Sequence, residues 1–230
     1  MNKNIPQHIG IIIDGNRRWA KARGLTTLQG HKKGRDRIKE IAQYAFDKGI
    51  KILTIYTFST ENWKRSEREI NNLLKLFRFA IIKDLDIFLK NDIRLKIIGK
   101  VEELDKGLQK DIKAAEAKTK NNKRGLVQIC FNYGGRLEIT EAIRKIIKNK
   151  IKPNQITPQL IGKYLWTANV ADPDLIIRTS GEQRLSGFLT WQSVYSEFFF
   201  LKKHWPDFTE KDLDKIISAY CRRKRRFGGN

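Results

Sequence analysis

The chain is poor in cysteine, proline and acidic residues, and it has no long apolar run. Only Cys130 and Cys221 occur in 230 residues. They lie far apart in sequence, which excludes a disulfide framework and a C-x-x-C metal or redox site and fits a reducing cytoplasm. Five prolines are present, and no Pro/Gly/Ser-rich linker divides the chain, so a single domain over 1–230 is expected. No apolar stretch approaches the roughly 20 residues that span a bilayer, and Met1-Asn2-Lys3-Asn4 opens no signal-peptide apolar region. The expectation is a soluble cytoplasmic protein, at most peripheral to a membrane. G-x-G-x-x-G and G-x-x-x-x-G-K-[ST] are both missing, so neither a dinucleotide fold nor a P-loop is indicated. Acids are outnumbered, 25 Asp+Glu against 47 Lys+Arg, for a formal charge of +22. Such an excess calls for an anionic partner: nucleic acid, an anionic membrane surface or a phosphorylated substrate. Charge alone does not choose among them, and a drift toward Lys on solvated helix faces accounts for part of it.

What is present is an alternation of apolar runs and helical periodicity. Strands are expected near 9–13, 51–57, 93–98, 126–132, 174–178 and 197–200, and helices near 33–48, 67–90, 102–119, 136–149, 157–164 and 209–224. Strand–helix alternation with short connections predicts an α/β fold, a mostly parallel six-stranded central sheet flanked by helices. The long 67–90 helix carries Ile70, Leu73, Leu74, Phe77, Ile81, Leu85 and Phe88 at three- and four-residue spacing. That face either packs on the sheet or walls an apolar tunnel.

Three loops follow apolar strands and carry chemistry. Ile9-Gly10-Ile11-Ile12-Ile13 stops at Asp14-Gly15-Asn16-Arg17-Arg18-Trp19. The loop sets a carboxylate, a turn with free backbone N–H groups and two guanidinium groups at one strand end, where α/β sheets bind ligands. An Asp beside a polyanion needs a cation between them, and Mg²⁺ is usually held by one or two carboxylates plus substrate phosphates. Asp-Gly-Asn is also what a plain helix-capping turn contains. The second loop, Phe58-Ser59-Thr60-Glu61-Asn62-Trp63-Lys64-Arg65, offers hydroxyl, carboxylate, amide, an apolar wall and an anion donor. Helix capping explains its first residues but not Asn62, Trp63 or Arg65. In the third, Arg178-Thr179-Ser180-Gly181-Glu182-Gln183-Arg184-Leu185-Ser186, two arginines and a serine flank a glycine turn, enough for a second diphosphate. His31 starts a helix and either donates to the Asp14 site or caps the turn, whereas His8 and His204 read as structural.

These blocks together resemble the cis-prenyltransferases, of which bacterial undecaprenyl diphosphate synthase is the type. The resemblance covers nearly the whole chain. It rests on H-x-x-x-I-x-D-G-N-x-R-W-A from His8 to Ala20, G-H-x-x-G from Gly30 to Gly34, F-S-x-E-N-W-x-R from Phe58 to Arg65, N-Y-G-G-R from Asn132 to Arg136, R-T-S-G-E-x-R-x-S-x-F-x-x-W-Q from Arg178 to Gln192, and W-P-D-F with R-R-F-G-G toward the end.

The resemblance implies an enzyme that condenses isopentenyl diphosphate onto an allylic diphosphate such as farnesyl diphosphate, each addition making a cis double bond. It also implies Mg²⁺ on Asp14, which assists departure of the allylic diphosphate, and Glu197 as a second metal-site carboxylate. The allylic diphosphate would sit on Gly15, Asn16, Arg17, Arg18 and His31, and isopentenyl diphosphate on Arg178, Arg184, Leu185 and Ser186. Asn62, beside Ser59, Thr60 and Glu61, matches a proposed proton-relay position, and Trp19, Trp63 and Arg65 match substrate contacts. The tail Arg226-Phe227-Gly228 is expected to reach across a homodimer interface. D-D-x-x-D clusters of the trans-prenyltransferases are missing here. Departures from the commonest pattern stand at Arg17, Thr27, Gln183 and Gly187. By family analogy a medium-chain product of about eleven units is expected, with a short-chain or irregular synthase of the same fold as the alternative and Thr57 a candidate near the tunnel entrance. A nucleic-acid-binding role, motivated by the charge and the Arg222–Arg226 run, explains none of the Asp14, Asn62 or Arg184 blocks, so no nucleic-acid partner is expected. The basic surface favours an anionic membrane face, where a long product must be released.

Overall fold

The structure, a computed structural model, describes residues 5–223. Six strands form one sheet: β1 (His8–Ile12), β2 (Ile52–Ser59), β3 (Ile93–Ile98), β4 (Gly125–Tyr133), β5 (Leu175–Arg178) and β6 (Glu197–Phe200). Their order is β3-β4-β2-β1-β5-β6 and every pairing is parallel. The expected α/β architecture is therefore present, with strand positions within about two residues of the sequence reading. Strands buried on both faces read as continuous apolar runs, which is why they were visible.

The helices are α1 (Asn16–Lys21), α2 (Thr27–Asp47), α3 (Glu67–Lys83), α4 (Leu85–Lys90), α5 (Lys106–Thr119), α6 (Gly135–Lys148), α7 (Pro158–Tyr164) and α8 (Glu210–Arg222). Four differ from expectation, one of them α5, expected from 102 but starting at Lys106 behind its N-cap Asp105. The six-residue α1 was unforeseen, because the Asp-Gly-Asn turn that precedes it reads as loop. α2 begins six residues before the expected position 33. Thr26 closes a capping box with Gln29, its backbone N–H donating to Gln29 Oε1 at 2.8 Å, and this outweighs the low propensity of Gly30 and Gly34 in the first turns. Those glycines are needed there. A Cβ at Gly30 would stand 2.3 Å from the Asn16 backbone oxygen, and one at Gly34 would stand 2.3 Å from Asn16 Oδ1, so α2 packs on α1 at backbone distance. The expected 67–90 helix is two helices, α3 and α4, divided at Asp84 (φ −89°, ψ 0°).

One face of the sheet builds the larger core. Ile9, Ile11, Leu53, Ile55, Leu95, Val127 and Ile177 pack there against α2, α3, α5 and α8, with Phe77 stacked on Phe131 at 3.8 Å between centroids. The opposite face packs Ile12, Tyr56, Cys130 and Ile176 under Phe188 and Leu189. After β4 the chain crosses to the other side of β1, so strand order reverses between β1 and β5. Their carboxyl ends lie in register, Ile12 beside Arg178, and a doubly wound sheet takes its ligand at such a reversal.

Candidate active site

The turn after β1 is held rigidly. Gly15 has φ +105°, open to glycine at little cost, and a Cβ there would stand 2.7 Å from both His204 Nδ1 and Ser180 Oγ. The Asp14 carbonyl accepts from Thr179 Oγ1 at 2.7 Å and from the Trp205 N–H at 3.0 Å. The loops after β1 and β5 are thereby joined to the segment around residue 204. His204, expected as a structural residue, lies against this turn with Nδ1 2.7 Å from Ser180 Oγ.

The side chains above the turn form one ionic cluster. Arg178 is 5 % exposed and both its terminal nitrogens are engaged: Nη2 donates to Asp14 Oδ2 at 3.0 Å, and Nη1 donates to Ser186 Oγ at 2.9 Å and to the Arg184 carbonyl. Arg18 lies 3.4 Å from Asp14 Oδ2 and 3.3 Å from Glu182 Oε1, and Arg184 lies 2.6 Å from Glu182 Oε2. A second knot forms around Glu69, which the sequence reading passed over. Its carboxylate faces Arg65 at 3.0 Å, Arg17 at 3.5 Å and His31 Nε2 at 3.7 Å. Burial, with Arg65 adding to it, pushes the His31 imidazole down to about 4, so the ring is neutral near pH 7. Glu69 stands four residues after Arg65, and that spacing was the available signal.

Among the described residues, Asn16 Oδ1 and His31 Nε2, on two residues that line the mouth, and Arg178 Nε beside it are buried without a hydrogen-bond partner. The mouth opens into a cavity of about 890 Å³. At its entrance stand Asp14, Gly15, Asn16, Arg17, Arg18, His31 and Arg65, with Thr57 behind them, and its interior is walled by Leu73, Phe77, Ile81, Phe88, Ile129 and Phe131. The long apolar face thus does both things expected of it, packing on the sheet and walling an apolar tunnel.

Other expected site residues stand elsewhere. Thr60 and Glu61 line a separate recess of about 230 Å³ with Gly134, Gly135 and Arg136. Asn62 accepts the Ser59 N–H at 3.2 Å through Oδ1, so its carbonyl oxygen serves the turn. The Trp63 indole donates to Asn132 Oδ1 at 2.7 Å and meets Phe58 edge-on. Trp19, expected to touch substrate, is instead buried with its N–H donated to Asp207 at 2.7 Å and the Arg23 guanidinium over its ring. Leu185 packs against the second core cluster, and the Gly187 carbonyl accepts the Gly135 N–H at 2.7 Å, which anchors the loop despite the departure at that position.

Glu197 requires a correction. It begins β6 beside Leu175, at the amino end of a parallel sheet, whereas Asp14 lies beyond the carboxyl end of β1, and it is paired with Arg223. Within one chain the two carboxylates do not meet. Among the described residues no three His, Cys, Asp or Glu side chains form a metal-ligand group. A single carboxylate still suits Mg²⁺ if diphosphate oxygens supply most of the ligands. The tail Arg226-Phe227-Gly228 lies outside the described residues.

A parallel sheet carrying two cation-lined loops at its order reversal, above a deep apolar cavity, defines a protein for substrates with an anionic head and a hydrocarbon tail. Residues 12–228 match the family model for undecaprenyl diphosphate synthase, so the chain belongs to that family of cis-prenyltransferases. An isoprenyl transferase of Fusobacterium nucleatum is 48 % identical over 229 residues, covering 100 % of this chain and 98 % of its own. A Legionella pneumophila protein named ditrans,polycis-undecaprenyl-diphosphate synthase, farnesyl-diphosphate specific, is 41 % identical over 99 % of this chain and 98 % of its own. The crystal structure of lavandulyl diphosphate synthase from Lavandula x intermedia, in complex with dimethylallyl diphosphate, superposes with a TM-score of 0.93 at 37 % identity, covering 98 % of this chain and 99 % of that one. The chain is a prenyl transferase.

Proposed function

We propose that this transferase extends farnesyl diphosphate with isopentenyl diphosphate, in a Mg²⁺-dependent reaction, to a medium-chain Z-polyprenyl diphosphate of the undecaprenyl class. The observation that carries the reading is the group of cationic side chains and imidazole, Arg17, Arg18, His31 and Arg65, at the entrance of an apolar cavity. Arg17, His31 and Arg65 on one side, and Arg178, Arg184 and Ser186 on the other, give two anion-binding groups, one for each diphosphate. In the reaction the allylic C–O bond breaks and diphosphate leaves with its electron pair. The isopentenyl double bond attacks the allylic carbon, a C–C bond forms, and a proton is lost to give the new cis double bond. Arg178 and Arg18 hold Asp14 at the point where the leaving diphosphate gathers charge. Mg²⁺ held by Asp14 would neutralise part of that charge. Asn62 Oδ1 is engaged by the Ser59 N–H, so a diphosphate oxygen is the better base for the departing proton.

A homodimer is part of this reading. β6 is an edge strand, and Phe200 on it and Val194 and Tyr195 just before it are exposed, the last two by 72 % and 65 %, an unusual surface for an isolated edge. Peripheral contact with an anionic membrane on the cytoplasmic side is supported by exposed Phe79, Ile82, Ile87 and Leu89 alternating with Lys83 and Lys90 along α3 and α4.

The test is incubation of the purified protein with radiolabelled isopentenyl diphosphate, Mg²⁺ and geranyl, farnesyl or geranylgeranyl diphosphate in turn, with chromatography of the dephosphorylated products. A ladder from farnesyl diphosphate ending near eleven units, abolished in Asp14→Ala, is the expected result. One short product would move the chain to a short-chain or irregular synthase, and no incorporation with any primer would overturn the reading.

A further inference from the structure

The apolar cavity has a charged wall at its far end. Arg35 and Lys39 lie one and two turns beyond His31 on the same face of α2, and Asp84 lies fifteen residues beyond Glu69, about 22 Å along α3 at 1.5 Å per residue. All three line the cavity, beside Ile38, Ala80 and Phe88. Asp84 is 8 % exposed, with Oδ2 3.6 Å from Arg35 Nε and Oδ1 3.5 Å from Lys39 Nζ. Asp36 holds the same cations from outside, 2.8 Å from Arg35 Nη2 and 3.1 Å from Lys39 Nζ. The Arg35 guanidinium also rests 5.0 Å from the centre of the Phe79 ring. Asp84 stands at the joint between α3 and α4 and its side chain makes no capping hydrogen bond, so its carboxylate is committed to the two cations. Four charges thus join α2 to the α3–α4 joint across the tunnel wall.

Hydrocarbon laid against this wall would take the remaining solvent from the charges, a loss that their mutual attraction offsets only in part. The volume on the near side is limited. Because a cavity of about 150 Å³ holds one six-carbon benzene, the 890 Å³ here holds roughly 36 carbons, or about seven five-carbon units. The diphosphates at the mouth take part of that space. An eleven-unit product does not fit unless its growing end passes the charged wall.

We propose that Asp84, clasped by Arg35 and Lys39, determines product length: the ion pairs close the far end of the hydrocarbon tunnel, and elongation beyond about seven units requires them to part. This rests on the polyprenyl reading above, and the experiment separates the two. The wild type, the apolar triple variant Arg35→Met/Lys39→Met/Asp84→Leu and the singles Asp84→Asn and Lys39→Met are each given labelled isopentenyl diphosphate and farnesyl diphosphate. Product distributions are compared after normalising to total incorporation, with circular dichroism and thermal melts reporting folding. The triple variant is expected to move the peak of the distribution up by at least one five-carbon unit, and the singles to move it the same way by less. If the triple variant does not fold, the near-isosteric singles decide. Distributions superimposable on the wild type, or shifted to shorter chains, overturn the proposal and leave the enzyme reading intact. A wild type that makes no ladder overturns the enzyme reading itself.

Discussion

Asp14 and Arg178 sit at the carboxyl ends of neighbouring parallel strands, with Oδ2 3.0 Å from Nη2. The contact is fixed by register, because Ile12 pairs with Arg178 and Asp14 lies two residues on. One guanidinium therefore ties the carboxylate of the first loop to the Ser186 hydroxyl and Arg184 carbonyl of the third.

A lysine at this position would keep the charge but not the planar fork, so it could reach one of those partners at a time. Arg178→Lys is expected to lower kcat/KM for isopentenyl diphosphate by about 10²–10³-fold, the usual effect of removing one preorganised donor. Steady-state kinetics with farnesyl diphosphate saturating would check this, and a loss under about fivefold would show that charge alone suffices.

Glu69 gathers Arg17, His31 and Arg65, three groups assigned to the allylic diphosphate, and its side chain is only 13 % exposed. On the proposed reading the carboxylate and the diphosphate would compete for the same donors. Removing the charge in Glu69→Gln is expected to tighten binding of inorganic pyrophosphate by about three- to tenfold at low salt, in line with ion pairs worth about 1 kcal/mol. Titration calorimetry reads this directly, and weaker binding would show that Glu69 instead holds the donors in position.

Gly30→Ala sets two effects against each other. Alanine favours a helix interior over glycine by about 1 kcal/mol, but its Cβ would lie 2.3 Å from the Asn16 backbone oxygen, which has no room to move away from a packed helix. Overpacking of this kind costs about 1–3 kcal/mol or more. A net loss of stability is expected, read as a lower urea midpoint with an unchanged slope. An equal or higher midpoint would mean that α1 and α2 separate easily.

The sheet is legible because its strands are uninterrupted apolar runs, and the candidate site is legible where a motif follows such a run: Asp14 after β1 and Arg178 at the end of β5, which the fold brings together. Glu197 was misplaced for a physical reason. A residue that begins a strand of a parallel sheet lies at its amino end, so a strand at 197–200 sets Glu197 at the end opposite Asp14 within one chain. Glu69 is not among the expected site residues because a polyanion site is marked by cations in motifs, whereas Glu69 acts through tertiary neighbours; His204, expected as structural, buttresses the turn at Gly15. Trp19 lies inside a matching block yet serves packing, its indole fixed by Asp207 from a segment nearly two hundred residues away. The division of the 67–90 helix could not be read from a periodicity that runs unbroken through Asp84.

Two histidines make stability depend on pH in a defined window. Burial pushes both His8 and His31 down to about 4, His8 with Nδ1 against the Ala171 carbonyl and Nε2 against the Thr54 hydroxyl. In the unfolded chain both titrate near 6.5. Between about pH 4 and 6.5 the unfolded state therefore binds more protons than the native state, so stability rises with pH across this window and levels off above it. Urea unfolding at pH 4.5, 5.5 and 7 is expected to show a loss on acidification, with a slope approaching about 1.4 kcal/mol per pH unit for each histidine. The His8→Gln variant should lose about half of that dependence, while its stability at pH 7 falls by the broken Ala171 and Thr54 contacts, about 1 kcal/mol each. A wild-type stability that is flat from pH 7 to 4.5 would show that the rings take up protons without unfolding.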